Sequence, residues 1–275
     1  MLHIIRSYLK FLWKAKNEHG IHSPFVYNLV TQCFYDKTKY PEYKNLEEYR
    51  NSLLKNQNTI EVTDFGAGSR VFKSNTRQIG KIAKTAGITQ NNAKLLFRLV
   101  KYFKPNSILE IGTSLGLATS ALSLGNRNAT TITLEGCPNT LSTAKNQFQL
   151  LKFDTVNINF INTEFSNYLK NYSLNTSCCE LIYFDGNHSK KATLDYFELL
   201  LPTITNDTIW IFDDIHWSKD MEEAWKTIKN HSKVTVTIDT FQWGIVFFRQ
   251  EQEKEHFIIN TNKTLSSFLF EKIKF

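Results

Sequence analysis

Two hydrophobic rhythms alternate along residues 107–249. Short runs at 107–111, 130–135, 156–161, 180–185 and 208–213 are almost continuously apolar or β-branched. Strands buried on both faces of a sheet read that way. The segments that follow them, at roughly 116–125, 138–152, 164–171, 189–201 and 219–230, carry apolar residues at helical spacing and predict five helices. Strand and helix in strict alternation predict a parallel sheet with helices on its faces. Lys233–Asp239 and Trp243–Arg249 are two further strands, joined only by Thr240-Phe241-Gln242. That connection is too short for a crossover, so the pair is expected to be antiparallel. Upstream, Ile4, Ile5, Tyr8, Leu9, Leu12 and Trp13 form one apolar helical face, with Arg6, Lys10, Lys14 and Lys16 elsewhere. Further helices are predicted at Val26–Phe34, Arg77–Ala86 and Thr89–Phe103, the last capped by Thr89 after Gly87.

The most informative stretch is Ser107-Ile-Leu-Glu-Ile-Gly-Thr-Ser-Leu-Gly-Leu-Ala-Thr119. An apolar strand with one embedded acid, Glu110, runs into a Gly112…Gly116 turn and then an apolar helix. Glycine there lets the backbone approach a ligand closely. A dinucleotide fingerprint would place a second glycine at position 114, which is Ser114. The strand at Thr130 ends in Glu135, and those at Glu180 and Thr208 end in Asp185 and Asp213. Acids at the carboxyl ends of successive strands crowd one rim, where open α/β sheets bind ligands. Glu135 is placed to accept both hydroxyls of a nucleoside ribose.

The turn resembles motif I of the class I S-adenosylmethionine (SAM) methyltransferases, in the form h-h-E-h-G-x-x-x-G. The resemblance covers about residues 77–250. It implies a Rossmann-like sheet, parallel with one antiparallel strand, in the order 3-2-1-4-5-7-6, with an N-terminal helical extension. The cofactor would be SAM, held by Glu110, Gly112, Thr113, Ser114, Gly116, Glu135, Gly136 and Asp185, with Thr163 and Glu164 at the adenine.

Phe184-Asp-Gly-Asn-His-Ser189 and Phe212-Asp-Asp-Ile-His-Trp-Ser218 bring Asp185, Asp213 and Asp214 together. Like charges so close require something positive among them. The pattern is similar to that of metal-dependent O-methyltransferases of the catechol and caffeoyl-CoA type. By that likeness the three aspartates are metal ligands, Mg²⁺ is a second expected cofactor, and the substrate is a small hydroxylated molecule. Where that family often has lysine three residues after the first Asp, this chain has His188. His188, or His216 beyond the second acid pair, is then the candidate base, with Asp185 also catalytic; helix capping and local ion pairing are the structural alternative.

Composition narrows the alternatives. The chain has 275 residues, 41% of them hydrophobic with 21 phenylalanines, enough for one large domain plus an accessory segment. Its net charge of +7 is spread thinly, densest at Arg6–Lys16 and Lys263–Lys274. A solvated basic surface fits this better than nucleic-acid binding, and no Asn/Asp-Pro-Pro-Tyr motif follows the fourth strand. A nucleic-acid methyltransferase and a non-catalytic SAM-binding module remain the rival readings. For the first helix, packing on its own core or on a second subunit is favoured over a membrane surface. Cys33, Cys137, Cys178 and Cys179 lack metal-ligand spacing and read as free thiols of a cytoplasmic protein. The expected organisation is a helical lid region at 1–75, the SAM-binding domain at 76–250 and a basic tail at 251–275. A second glycine turn, Asp64 to Arg70, lacks the helix and second acidic strand of a cofactor site and reads as a loop at the mouth of the site.

Overall fold

The computed structural model describes residues 2–63, 74–174 and 178–261. The five alternating strands form as the pattern predicts: β3 (Ser107–Ile111), β4 (Thr130–Glu135), β5 (Ile158–Asn162), β6 (Leu181–Phe184) and β7 (Ile209–Asp213). The helices between and after them are α6 (Leu117–Gly125), α7 (Pro138–Leu150), α8 (Phe165–Leu174), α9 (Lys190–Leu200) and α10 (Lys219–Asn230). The sheet ends with β8 (Val236–Asp239), β9 (Trp243–Phe247) and β10 (Glu255–Ile258). Strands β3 to β7 pair in parallel, and β9 runs antiparallel between β7 and β8. Counted from β3, the order is 3-2-1-4-5-7-6, with β10 added at the edge parallel to β8.

Alternation along each strand explains why both faces are buried. In β7, Ile209 and Ile211 enter one core, while Trp210 and Phe212 enter the other. In β6, Leu181 and Tyr183 face the first and Ile182 and Phe184 the second. Period-two packing against two helix layers therefore accounts for runs that show no polar alternation.

Before the sheet come α1 (Leu2–Lys14), α2 (Pro24–Leu29) with a π-helical continuation at Val30–Phe34, and α3 (Glu42–Lys55). A short hairpin, β1 (Thr59–Glu61) with β2 (Thr76–Gln78), precedes α4 (Ile79–Thr85) and α5 (Gln90–Phe103). Arg77 and Gln78, expected to open a helix, are thus strand residues, because Arg77 pairs with Ile60 and Gln78 is still extended. The glycine turn at 64–70 lies outside the described residues.

The helices of the region read as a lid share the sheet's core. Leu46, Tyr49 and Leu53 of α3 are fully buried among Ile79, Phe97, Leu115 and Phe148. Likewise β10 falls inside the segment read as a basic tail. Phe257 and Ile259 point into the core two residues apart, and Lys16 bridges to Ile259. A strand of four residues that follows Glu253 and Lys254 and opens on Glu255 gives little periodicity to read.

Leu53→Ala is therefore expected to cost about 3 kcal/mol of global stability through the cavity it leaves. Denaturant unfolding followed at the sheet checks this. An unchanged midpoint would mean that α3 is an independent lid.

Candidate active site

At the carboxyl ends of β3 to β6 lies a cleft of about 470 Å³. Its floor is the turn after β3. Gly112 adopts φ +107°, and a Cβ there would stand 2.5 Å from the Asp185 carbonyl oxygen, so only glycine lets the turn pass the end of β6. Beyond it the Ser114 amide donates to Glu135 Oε2 (2.8 Å), and the Cys137 amide donates to Oε1 (2.9 Å). Two backbone donors fix the carboxylate at the tip of β4.

Of the cofactor residues expected from sequence, Gly112, Ser114, Glu135, Gly136, Thr163, Glu164 and Asp185 line this cleft. Three lie beneath it. Gly116 packs under Tyr49 and Phe148, and Thr113 is buried against Thr133. Glu110 has no exposure and accepts hydrogen bonds from the hydroxyls of Thr119 and Thr133, both at 2.6 Å. Burial pushes its carboxyl up to about 8, against the pull of those hydroxyls, so it is neutral at pH 7. Glu110 buttresses the turn from below.

Sequence reasoning missed the opposite wall. Ser189 caps α9 by accepting from the Ala192 amide at 3.3 Å, which turns the first helical turns of α9 toward the cleft. Lys191, Asp195 and Tyr196 thereby join the lining, with Phe165 of α8 and with Val62 and Ile82 from before the sheet. The helical spacing of 192 and 196 after a Ser cap was the available signal.

The three aspartates do meet, but with other partners than expected. Gln242 Nε2 donates to Asp213 Oδ1 (2.6 Å) and to Asp214 Oδ1 (2.8 Å). His188 Nε2 lies 3.5 Å from Asp185 Oδ1. Burial opposes a charged imidazole at position 188, yet the hydrogen bond with Asp185 and the charges of Asp214, Asp185 and Asp213 outweigh it and raise it to about 9. Burial and then the neighbouring Asp213 raise the Asp185 carboxyl well above the usual carboxylate range. Both shifts have a common origin in the clustered acids. Among the described residues no three His, Cys, Asp or Glu side chains converge as a metal-ligand set. Asp185, Asp213 and Asp214, expected as Mg²⁺ ligands, meet His188 and Gln242 here. Of these partners the His188 ring can carry positive charge, and the Gln242 amide is a neutral donor. Gln242 follows from tertiary pairing: β9 runs antiparallel to β7 with Asp213 opposite Trp243, which brings position 242 to the acids.

His216 does not reach the cleft. Its Nδ1 lies 2.9 Å from Glu222 Oε1, its Nε2 lies 2.9 Å from Asp239 Oδ2, and its ring stacks on Phe241. Burial would lower its pKa, but hydrogen bonds with Asp239 and then Glu222 raise it to about 9. With both nitrogens engaged, the half-buried ring links α10 to β8. Trp217 beside it lines only a small recess with Ile4, away from the cleft.

Residues 109–215 match the family model described as Methyltransferase domain. The chain carries a methyltransferase domain, and its fold is that of the class I methyltransferases. No curated protein sequence matches it. Among solved structures it is similar to the SAH-bound methyltransferase PaMTH1 of Podospora anserina, at 13% identity and TM-score 0.56, covering 83% of this chain and 97% of that one. The O-methyltransferase TomG of Streptomyces achromogenes, solved with SAM, is similar at 12% identity and TM-score 0.53, covering 77% and 91%. An O-methyltransferase of Bacillus cereus in complex with SAH is similar at 15% identity and TM-score 0.50, covering 77% and 92%. At such identities the likeness establishes the fold.

The His216 clamp has a defined pH signature. Its folded pKa of about 9 stands above the ordinary 6.5, so its stabilisation is full below about pH 6.5 and is lost as pH rises through about 9. His216→Ala should cost about 3 kcal/mol at pH 6, since Asp239 is left buried without its cation, keeping only the Phe241 amide. The gap between the two proteins should close between pH 6.5 and 9 in denaturant titrations. A gap independent of pH would show that the ring acts by packing alone.

Proposed function

We propose that this chain transfers a methyl group from SAM to a hydroxyl of a small molecule bound in the same cleft. What carries the reading is the layout of the cleft, with the Gly112 turn and Glu135 at one end and Asp185 at the other. A volume of about 470 Å³ suits a nucleoside-sized ligand and part of an acceptor. Glu135, oriented by two amides, would accept the ribose hydroxyls. Thr163 and Glu164 would meet the base edge, with Phe165 and Ile82 as apolar wall. SAM supplies a methyl group already activated on a sulfonium, so the protein has only to position the acceptor, exclude water and take up a proton.

Asp185 is the residue we assign to the proton. It faces the cleft, and its raised proton affinity suits it to accept from a hydroxyl better than an ordinary carboxylate would. His188 stands behind it, outside the cleft lining, and holds it in place. Asp213 and Asp214, tied by Gln242, supply the surrounding negative charge. A His188 imidazolium would serve as the cluster's cation, and no step is routed through a metal. The free thiols at Cys33, Cys137, Cys178 and Cys179 support a reducing, cytoplasmic setting.

Calorimetry should show SAM and S-adenosylhomocysteine binding and no binding of NAD. Glu135→Ala should weaken SAM by about 2–3 kcal/mol through lost charge-assisted hydrogen bonds. Binding of NAD in place of SAM would overturn the cofactor assignment.

Asp185→Asn should lower kcat by about 10²-fold or more while leaving SAM affinity within a few fold. Turnover after exhaustive EDTA treatment should match the untreated enzyme. Loss of activity in EDTA, restored by Mg²⁺, would return the three aspartates to a metal and refute the imidazolium reading.

A further inference from the structure

Helix α1 carries apolar residues on two sides. Its inner side is accounted for: Tyr8 and Phe11 are buried against Phe241 with ring centroids 4.9 and 5.5 Å apart, and Ile4, Leu12 and Ala15 pack beside them. The outer side is not. Trp13 is 85% exposed and Leu9, one turn earlier, is 60% exposed. These are two of the five large apolar side chains exposed among the described residues, and they stand adjacent on one helix. Scattered exposed apolar residues need no explanation, but a tryptophan and a leucine aligned at i and i+4 form a stripe.

The charges around the stripe are of one sign. Arg6, Lys10 and Lys14 are exposed on the same helix, Lys16 follows, and no acid occurs before Glu18. We propose that the outer face of α1 docks in the plane of an anionic lipid surface, with Trp13 and Leu9 in the headgroup boundary and the basic side chains on lipid phosphates. A helix held to its protein by one face, with Trp and Leu flanked by Lys and Arg on the other, has the make-up of an interfacial anchor. Among the described residues no helix is long and apolar enough to cross a membrane, so the contact is peripheral.

Two physical points favour lipid over a second copy of the chain. The two side chains expose on the order of 300 Å², well short of the roughly 800 Å² per partner of a stable interface. A two-fold contact through this stripe would also bring the basic residues of both copies together, whereas anionic headgroups complement them. A nucleic acid would satisfy the charge but leave Leu9 without a partner. The proposal is independent of the acceptor and of the cofactor assignment, since it concerns a face outside the cleft.

Sedimentation of the full chain with vesicles tests it. Pelleting is expected with phosphatidylcholine vesicles containing phosphatidylglycerol, and not with phosphatidylcholine alone or at high salt. Trp13→Ser should weaken binding by tenfold or more, and Lys10→Gln and Lys14→Gln by about fivefold each. These positions are exposed, so circular dichroism should be unchanged; Lys10→Glu, which leaves the apolar stripe intact, tests the charge separately. Absence of pelleting with anionic vesicles would overturn the proposal, as would equal binding by Trp13→Ser and the parent. So would a dimer in analytical ultracentrifugation that Trp13→Ser abolishes, or retention of an RNA probe in place of the vesicles.

Discussion

Parallel strands deliver their carboxyl ends to a single rim, and in this chain that rim receives Asp185, Asp213 and Asp214 within hydrogen-bonding range of common partners. Mutual repulsion in a partly buried site is the constraint the rest must satisfy. His188 and Gln242 answer it from two different loops. His188 is placed by the turn before α9, and Gln242 by the turn between β8 and β9. Register supplies both: β6 and β9 flank β7, so the residues leaving their rim ends stand on either side of its acids. The chemistry we assign to Asp185 follows from this arrangement, because burial and a neighbouring carboxylate are what raise its hold on a proton.

The same rim is where the N-terminal helices are anchored. Glu222 of α10 meets His216 on one side and His3 of α1 at 3.6 Å on the other. Burial opposes the Glu222 charge, yet hydrogen bonds with His216 and Ser7 and the charges of His216 and His3 lower it to about 2. Phe241, stacked on His216, is also the ring that receives Tyr8 and Phe11. One histidine therefore couples the sheet edge, α10 and α1. A residue that resembles a catalytic base in sequence serves as a structural cation, and the helix it secures turns its second apolar stripe outward.

Much of the fold was legible because buried strands and amphipathic helices differ in period. The strands at 107–111 and 130–135, the helix at 219–230 and the antiparallel β8–β9 pair follow from spacing alone. Short elements were not. The β1–β2 hairpin and β10 have three or four residues each, too few for a period to register, and they exist because particular partners lie beside them. At the site, Gly112, Ser114 and Glu135 stood out because a turn that must pass another strand, and an acid at a strand tip, leave marks in the residue types themselves. Lys191, Asp195 and Tyr196 did not, since they sit in an ordinary helix whose direction is set by Ser189.

The division between sequence and structure is sharpest among the charged residues. By itself the sequence determined that acids would gather at the carboxyl ends of β6 and β7 and that something positive must stand among them. Tertiary structure decided which partners answer them, the His188 ring and the neutral amide of Gln242. Gln242 lies 28 residues from Asp214 along the chain and 2.8 Å from it in space, and no local pattern encodes such a meeting. It likewise decided that Glu110 is a neutral buttress and His216 a clamped cation, because the state of an ionisable group depends on burial and partners that only packing provides.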